Sequence, residues 1–178
     1  MNITAQMVKE LRDKTGAGMM DAKKALVEVD GDMEKATEFL RQKGMASAEK
    51  KMGRIAAEGR VDSFVDANGG AMVEVNCETD FVAKNDEFKT LVANMAKHVE
   101  DLKPADVDAL LATTCPSCDK LIGEALKEKI ASIGEKITVR RFVRYEGPVA
   151  TYIHNGKIGV LLSTDKEDHD LMNDICLH

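Results

Sequence analysis

The sequence predicts an α+β protein. A short three-helix segment leads into a core of two related subdomains, each an antiparallel sheet with helices on one side, the second incomplete. Three observations carry this. Apolar residues recur at helical spacing through residues 1–44, the period changes to two from about residue 60, and one strand–turn–strand–helix pattern occurs twice.

The elements follow in order. Thr4 is placed to cap a helix that carries Met7, Val8 and Leu11 and stops at Gly16. Met19, Ala22, Leu26 and Val29 form the stripe of a second helix, closed by Asp30-Gly31. Asp32 caps a third, with Ala36, Phe39 and Leu40 expected inward and Gly44 beyond its end. Residues 45–59, rich in Ala and Lys, read as a linker, either a tether or a solvated helix, and mark a domain boundary.

Residues 60–145 are expected to form the first core subdomain. Strands Val61–Asp66 and Ala71–Cys77 flank Asn68-Gly69, a hairpin signal, and Val73, Val75 and Cys77 share one face. Phe88, Leu91, Val92, Met95 and Val99 stripe the next helix. A further helix spans about 119–135, and a strand from Ile137 to Tyr145 completes the unit.

Residues 146–178 restart the pattern: FVDANGGAMVEV resembles YIHNGKIGVLL, and LVANMAKH resembles LMNDICLH. Val75 to Leu91 is 16 residues and Ser163 to Leu171 is 8, so the first copy carries about eight extra, covering ETDFVAKN. An insertion present in one copy of a repeated scaffold is a candidate for function. The second copy lacks the later helix and third strand, so the chain is expected to be a fragment of a longer protein or to borrow those pieces.

Composition bounds the function. Of 178 residues 44% are apolar, enough for a packed core, and no run of about 18 apolar residues exists to span a membrane. The charged, amphipathic start is not a signal peptide, and the four cysteines form no secreted disulfide framework, so a cytoplasmic protein with reduced thiols is expected. The net charge of −6 and an aromatic content of 4% disfavour direct nucleic-acid binding. Neither GxxxxGK[ST] nor GxGxxG occurs.

Several residues invite a chemical reading. CPSC at 115–118 has the spacing of a metal or redox pair. No second pair completes a zinc site, no βαβ context supports a thioredoxin site, and Pro116-Ser117 is explained as a helix start. Cys77 with His154 makes a conceivable nucleophile pair, but no third orienting residue stands out. Met19 and Met20 open a helix, where paired thioethers serve either packing or an adaptable contact surface. Phe81 is the one phenylalanine outside a periodic element. It either folds back as a cap on the local core or projects towards a partner, and the residues alone leave both open.

Three separated motifs in order, KELRDKTGAGMMDAKKAL, EVNCETDFVAKN and IGEKITVRRF, resemble those of the elongation factor Ts family, and the likeness runs from about residue 3 to the end. It implies a ubiquitin-associated-like three-helix domain, a core of two related α+β subdomains, and guanine-nucleotide exchange on the GTPase elongation factor Tu, without a catalytic residue, cofactor or metal of its own. It implies that Thr79, Asp80, Phe81 and Val82 intrude beside the partner's magnesium and phosphate site. Met19 and Met20, with Arg12, are implied to contact the partner's nucleotide domain, and His154 another of its domains. Long bacterial members continue into a helical hairpin, and a homodimer is expected only where that hairpin is present.

Overall fold

A computed structural model describes residues 3–178, which fall into two compact units. One holds the residues up to Arg54 together with Glu124–Glu135. The other holds Ile55–Gly123 and Lys136–His178. Helices and antiparallel strands both occur, so the chain is α+β.

In the first unit, α1 (Ala5–Thr15) begins where the Thr4 hydroxyl accepts the Met7 N–H at 3.2 Å. It ends at Gly16, whose left-handed φ of 68° breaks the helix while its N–H returns to the Arg12 carbonyl. The next helix, α2 (Met19–Glu28), starts without a side-chain cap. The third, α3 (Met33–Lys51), starts at Asp32, whose carboxylate accepts the N–H groups of Glu34 and Lys35, each at 3.0 Å. Val8, Leu11, Ala22, Ala25, Leu26, Ala36 and Leu40 close the core between these helices. Full burial of a leucine such as Leu11 or Leu26 contributes roughly 1.5–3 kcal/mol, so this small core rests on few side chains.

Two expectations are corrected here. Gly44 does not lie beyond α3, which continues to Lys51 and buries Ala48. Glycine inside a helix costs roughly 1 kcal/mol against alanine. However, a Cβ at Gly44 would stand 3.0 Å from Ala131 of α7 (Ile122–Ile133), so the missing side chain is what lets α7 approach. Phe39 is not a core residue but 37% exposed, because Ala36 and Leu40, one turn apart, already fill the inward stripe.

In the second unit, β1 (Glu58–Val65), β2 (Gly69–Cys77) and β3 (Thr138–Glu146) form an antiparallel sheet with β2 in the middle. Ala71, Val73, Val75 and Cys77 of β2 are buried, as are Phe88, Val92, Met95, Ala96 and Val99 of α5 (Asp86–Leu102), which packs on this sheet. The β2–β3 register shifts between Glu74 and Val75, leaving Arg140 as the extra residue of a bulge. Both Arg140 and Arg141 thereby reach the Glu74 carboxylate, at 3.7 and 2.7 Å. Buried Glu100 of α5 is met by Arg144 of β3 at 3.0 Å.

The β1–β2 loop differs from expectation. Asn68 and Gly69 do not adopt positive φ. The turn is built instead by Asp66, whose side chain accepts the N–H of Asn68 at 2.7 Å and of Gly69 at 3.3 Å, and Gly69 already belongs to β2.

The repeat follows as β4 (Val149–His154), β5 (Ile158–Ser163) and α8 (His169–Leu177). Here Asn-Gly acts as expected: Asn155 (φ 51°) and Gly156 (φ 68°) make a two-residue left-handed turn closed by the Lys157 N–H on the His154 carbonyl. Ala150, Met172 and Cys176, with Tyr152 and Leu162, form its small core. Between the two unit-forming hairpins, α6 (Val107–Ala112) was not foreseen. Among the described residues no helix is long and apolar enough to cross a membrane.

Candidate functional site

Residues 78–85 join β2 to α5 and contain α4 (Asp80–Lys84), a single helical turn. An isolated turn of this length has no stability of its own, so its fixation comes from its ends. The Thr79 hydroxyl accepts the Val82 N–H at 3.3 Å, and the Cys77 thiol donates to the Thr79 carbonyl at 3.2 Å. Asn85 closes α4 through its N–H to the Val82 carbonyl and opens α5 through its side chain, which accepts the Glu87 N–H at 2.7 Å. Glu78 accepts the Lys136 N–H at 2.6 Å, and Ala83 is buried.

On this fastened turn Phe81 is 83% exposed. The alternative that it caps the local core is therefore corrected: that position belongs to Phe88, which is fully buried, and the inward place in α4 belongs to Ala83. Phe81 also does not lie outside regular structure, since it sits in α4. The insertion is shorter than the sequence count suggested. Residues 78–85 connect strand to helix in the first copy and 164–168 in the second, three residues fewer, the remainder being longer regular elements.

Asp80 pairs with Lys84 at 2.7 Å, one turn on. The hydrogen bond from Lys84, and then its charge, hold the Asp80 carboxyl below the usual carboxylate range. The carboxylate is thus fully ionised at neutral pH while half open to solvent.

Within the same unit, a cleft of about 440 Å³ separates α4 from the β4–β5 turn, with Asp80, Lys84, Arg60, Asn155 and Lys157 among its walls. His154 stands exposed beside it. The Asn155 amide donates to Nε2 at 3.1 Å, so the ring proton sits on Nδ1 and is donated to the Tyr152 oxygen at 3.0 Å. Cys77 is fully buried in β2 with its thiol on the Thr79 carbonyl, whereas His154 is exposed at the β4–β5 turn between Tyr152 and Asn155.

The other candidate residues belong to the first unit. Met19 and Met20 are 47% and 65% exposed, so neither fills the core, and Arg12 is exposed in the last turn of α1. Met20, Val27 and Phe39 line a shallow recess of about 420 Å³ rimmed by Lys23, Lys24 and Lys43. Val27 and Phe39 were missed as surface residues. The signal for Val27 was available, since it follows Met20 by two helical turns and shares its face.

The CPSC stretch does not open a helix. Pro116–Cys118 form a separate turn, and α7 begins only at Ile122. Among the described residues no group of three or more His, Cys, Asp or Glu is arranged to hold a metal.

The family model for Elongation factor TS matches residues 78–178, more than half of the chain and beginning one residue before Thr79. The chain belongs to the elongation factor Ts family. Elongation factor Ts of Ruegeria sp. (strain TM1040) is 51% identical over 191 residues, covering 100% of this chain and 62% of the relative. That of Streptococcus suis (strain 98HAH33) is 54% identical over 181 residues, covering 99% and 52%. That of Halorhodospira halophila (strain DSM 244 / SL1) is 46% identical over 182 residues, covering 100% and 62%. The chain thus spans about half to three-fifths of the length of the curated relatives it matches. The match takes in the whole of α4 and the His154 turn, and the relatives extend the likeness across the three N-terminal helices.

Proposed function

We propose that this chain acts as a guanine-nucleotide exchange factor: it binds elongation factor Tu and promotes GDP release by disturbing the partner's magnesium and phosphate site, in support of translation elongation. One observation carries the reading. A large ring, Phe81, is held out in solvent on a turn that is capped and hydrogen-bonded at both ends. A ring presented this way loses little further freedom on docking, so more of its burial, roughly 1.5–3 kcal/mol, goes into separating the partner's elements.

Thr79 and Val82 set the attitude of the turn. Asp80, already ionised and paired with a flexible lysine, competes for the groups that orient the magnesium shell. Losses in that shell lower metal affinity by ~10–100-fold. An exchange factor shifts the equilibrium only through higher affinity for the nucleotide-free state, and a wedge with a carboxylate beside it supplies that difference.

Met19 and Met20, with Arg12, Val27 and Phe39, form the contact to the partner's nucleotide domain, and His154 the contact to another domain. The N-terminal helices are ubiquitin-associated-like, and the two strand–strand–helix copies are the family's two related subdomains. No residue performs covalent chemistry on the nucleotide, so the chain is not an enzyme in the usual sense.

The test is release of labelled GDP from elongation factor Tu on addition of catalytic amounts of the chain. Acceleration is expected. GDP should also weaken binding of the chain by the same factor that the chain weakens binding of GDP. Binding that is indifferent to GDP would leave a passive docking module in place of an exchange factor.

A further inference from the structure

The CPSC loop is absorbed by none of the above, and its geometry is specific. The loop is pinched at its base by the Cys115 N–H on the Lys120 carbonyl at 2.8 Å and the Ile122 N–H on the Thr113 carbonyl at 2.9 Å, with Thr114 bridging Leu121. Inside this ring the Cys118 N–H closes a turn onto the Cys115 carbonyl. Such a turn keeps its first and fourth Cα atoms within ~7 Å, which overlaps the ~4.4–6.8 Å that a disulfide spans. All four cysteines are thiols, and Cys115 and Cys118 are the two held in one turn.

The surroundings favour a reactive sulfur. Cys115 is buried, which by itself raises a thiol. The hydrogen bonds it receives from Cys118 and from the Ser117 hydroxyl at 3.3 Å outweigh that and hold it below the ordinary thiol value. Cys118 is pushed the other way, by burial and by its neighbour. His98 Nε2 lies 3.9 Å from Cys115 Sγ, while its Nδ1 is buried without a partner among the described residues. Burial lowers the His98 pKa and keeps the ring neutral at pH 7. The tautomer protonated on Nε2 directs its N–H at the sulfur and leaves at Nδ1 a lone pair instead of an orphaned donor.

We propose that Cys115 and Cys118 form a redox-active dithiol that closes reversibly to an intraloop disulfide at the expense of a low-molecular-weight disulfide such as oxidised glutathione. Cys118, the more exposed of the two sulfurs, reacts first, from the small fraction of molecules in which its raised thiol is ionised, so this is the slow step, and Cys115 is the ready thiolate that resolves it. The Cys118 thiolate attacks one sulfur of the small disulfide, a mixed disulfide forms on Cys118, and one small thiolate leaves. The Cys115 thiolate then attacks Cys118 Sγ, the Cys115–Cys118 bond forms, and the second small thiolate leaves. The two protons lost by the cysteines end on the two released thiols, so the protein is oxidised by two electrons and the small disulfide is reduced by two. Cys77 and Cys176 are both buried and take no part.

The experiment incubates the full chain in glutathione buffers of graded oxidised-to-reduced ratio, quenches with acid, and maps each cysteine by mass spectrometry. The expected result is loss of two hydrogens confined to the peptide holding Cys115 and Cys118, reversed by reduced glutathione. Cys115→Ser should stop the reaction at one glutathione on Cys118, and Cys118→Ser should slow the first step by at least tenfold. The wild-type mapping stands without either variant, should one of them fail to fold. Glutathione accumulating on Cys118 of the wild type without ring closure overturns the proposal, as does oxidation spread evenly over the four cysteines. Stoichiometric zinc that survives dialysis and blocks oxidation also overturns it, in favour of a metal site.

Discussion

The two strand–strand–helix copies of the second unit share a sequence pattern and differ in what surrounds it. In the first, β2 is paired on both sides, and α5 lays five buried apolar residues on the sheet. In the second, β4 and β5 form a two-stranded sheet, and α8 buries only Met172 and Cys176 while Leu171 and Ile175 remain exposed. A two-stranded sheet is marginal by itself. The better-buried copy is also the one that carries the exposed Phe81, and the link is physical. A ring can be held out in solvent only if its base does not give way, and the base of α4 is the strand end and helix start of the stronger copy.

The largest effects that test this contrast are in the cores. Phe88→Ala is expected to destabilise the second unit by roughly 3–5 kcal/mol in denaturant unfolding. Arg144→Ala should cost about as much, because it leaves Glu100 buried with its charge uncompensated. Met172→Ala is expected to cost less, about 2 kcal/mol, since the core around it is small, with only Ala150 and Cys176 buried beside it and a two-stranded sheet free to relax onto the gap. A cost for Met172→Ala equal to that of Phe88→Ala would erase the contrast.

Next in size is local opening. Amides of β4, β5 and α8 should exchange with solvent at least about tenfold faster than those of β2 and α5, a difference of ~1.4 kcal/mol in opening free energy. Equal protection would mean that the packing of β4 and β5 on β1, including the Thr151 hydroxyl on Ser63 at 2.9 Å, makes one cooperative sheet of both copies.

Phe81→Ala separates function from stability. Stability is expected to change by no more than ~0.5 kcal/mol, as for an exposed position. Stimulated GDP release should fall at least about tenfold, which ~1.4 kcal/mol of lost transition-state stabilisation suffices to cause. A large loss of stability would make the ring structural; normal stability with normal exchange would remove the wedge.

The smallest effect concerns Asp80 and Lys84. The folded-state pKa of Asp80 is depressed, so its contribution to stability is complete above the unfolded value of ~3.9 and is lost as pH falls through the folded value. Lys84→Met should move the Asp80 carboxyl titration upward towards the ordinary value, with little change in melting temperature at neutral pH. An unmoved titration would show that the Lys84 pairing does not control this carboxylate.

By itself the sequence determined the fold class, the helix starts at Thr4 and Asp32, the stop at Gly16, the left-handed Asn155-Gly156 turn and the repeat. The caps and turns rest on interactions within a few residues of the chain, and the fold class and the repeat on the period of its apolar residues. It also isolated the segment around Phe81, because a ring without apolar neighbours at helical or strand spacing breaks the local pattern. What it could not decide depended on distant neighbours. Whether Gly44 ends a helix turned on Ala131, which lies far along the chain. Whether Phe39 or Phe81 lies inside turned on which side chain had already filled the space: Ala36 and Leu40 in one case, Ala83 and Phe88 in the other. Whether CPSC is a helix start turned on the Thr113–Ile122 pairing that makes it a closed loop. Backbone capping is satisfied locally and can be read locally. Burial is a competition for limited volume, and its outcome exists only once the whole chain has packed.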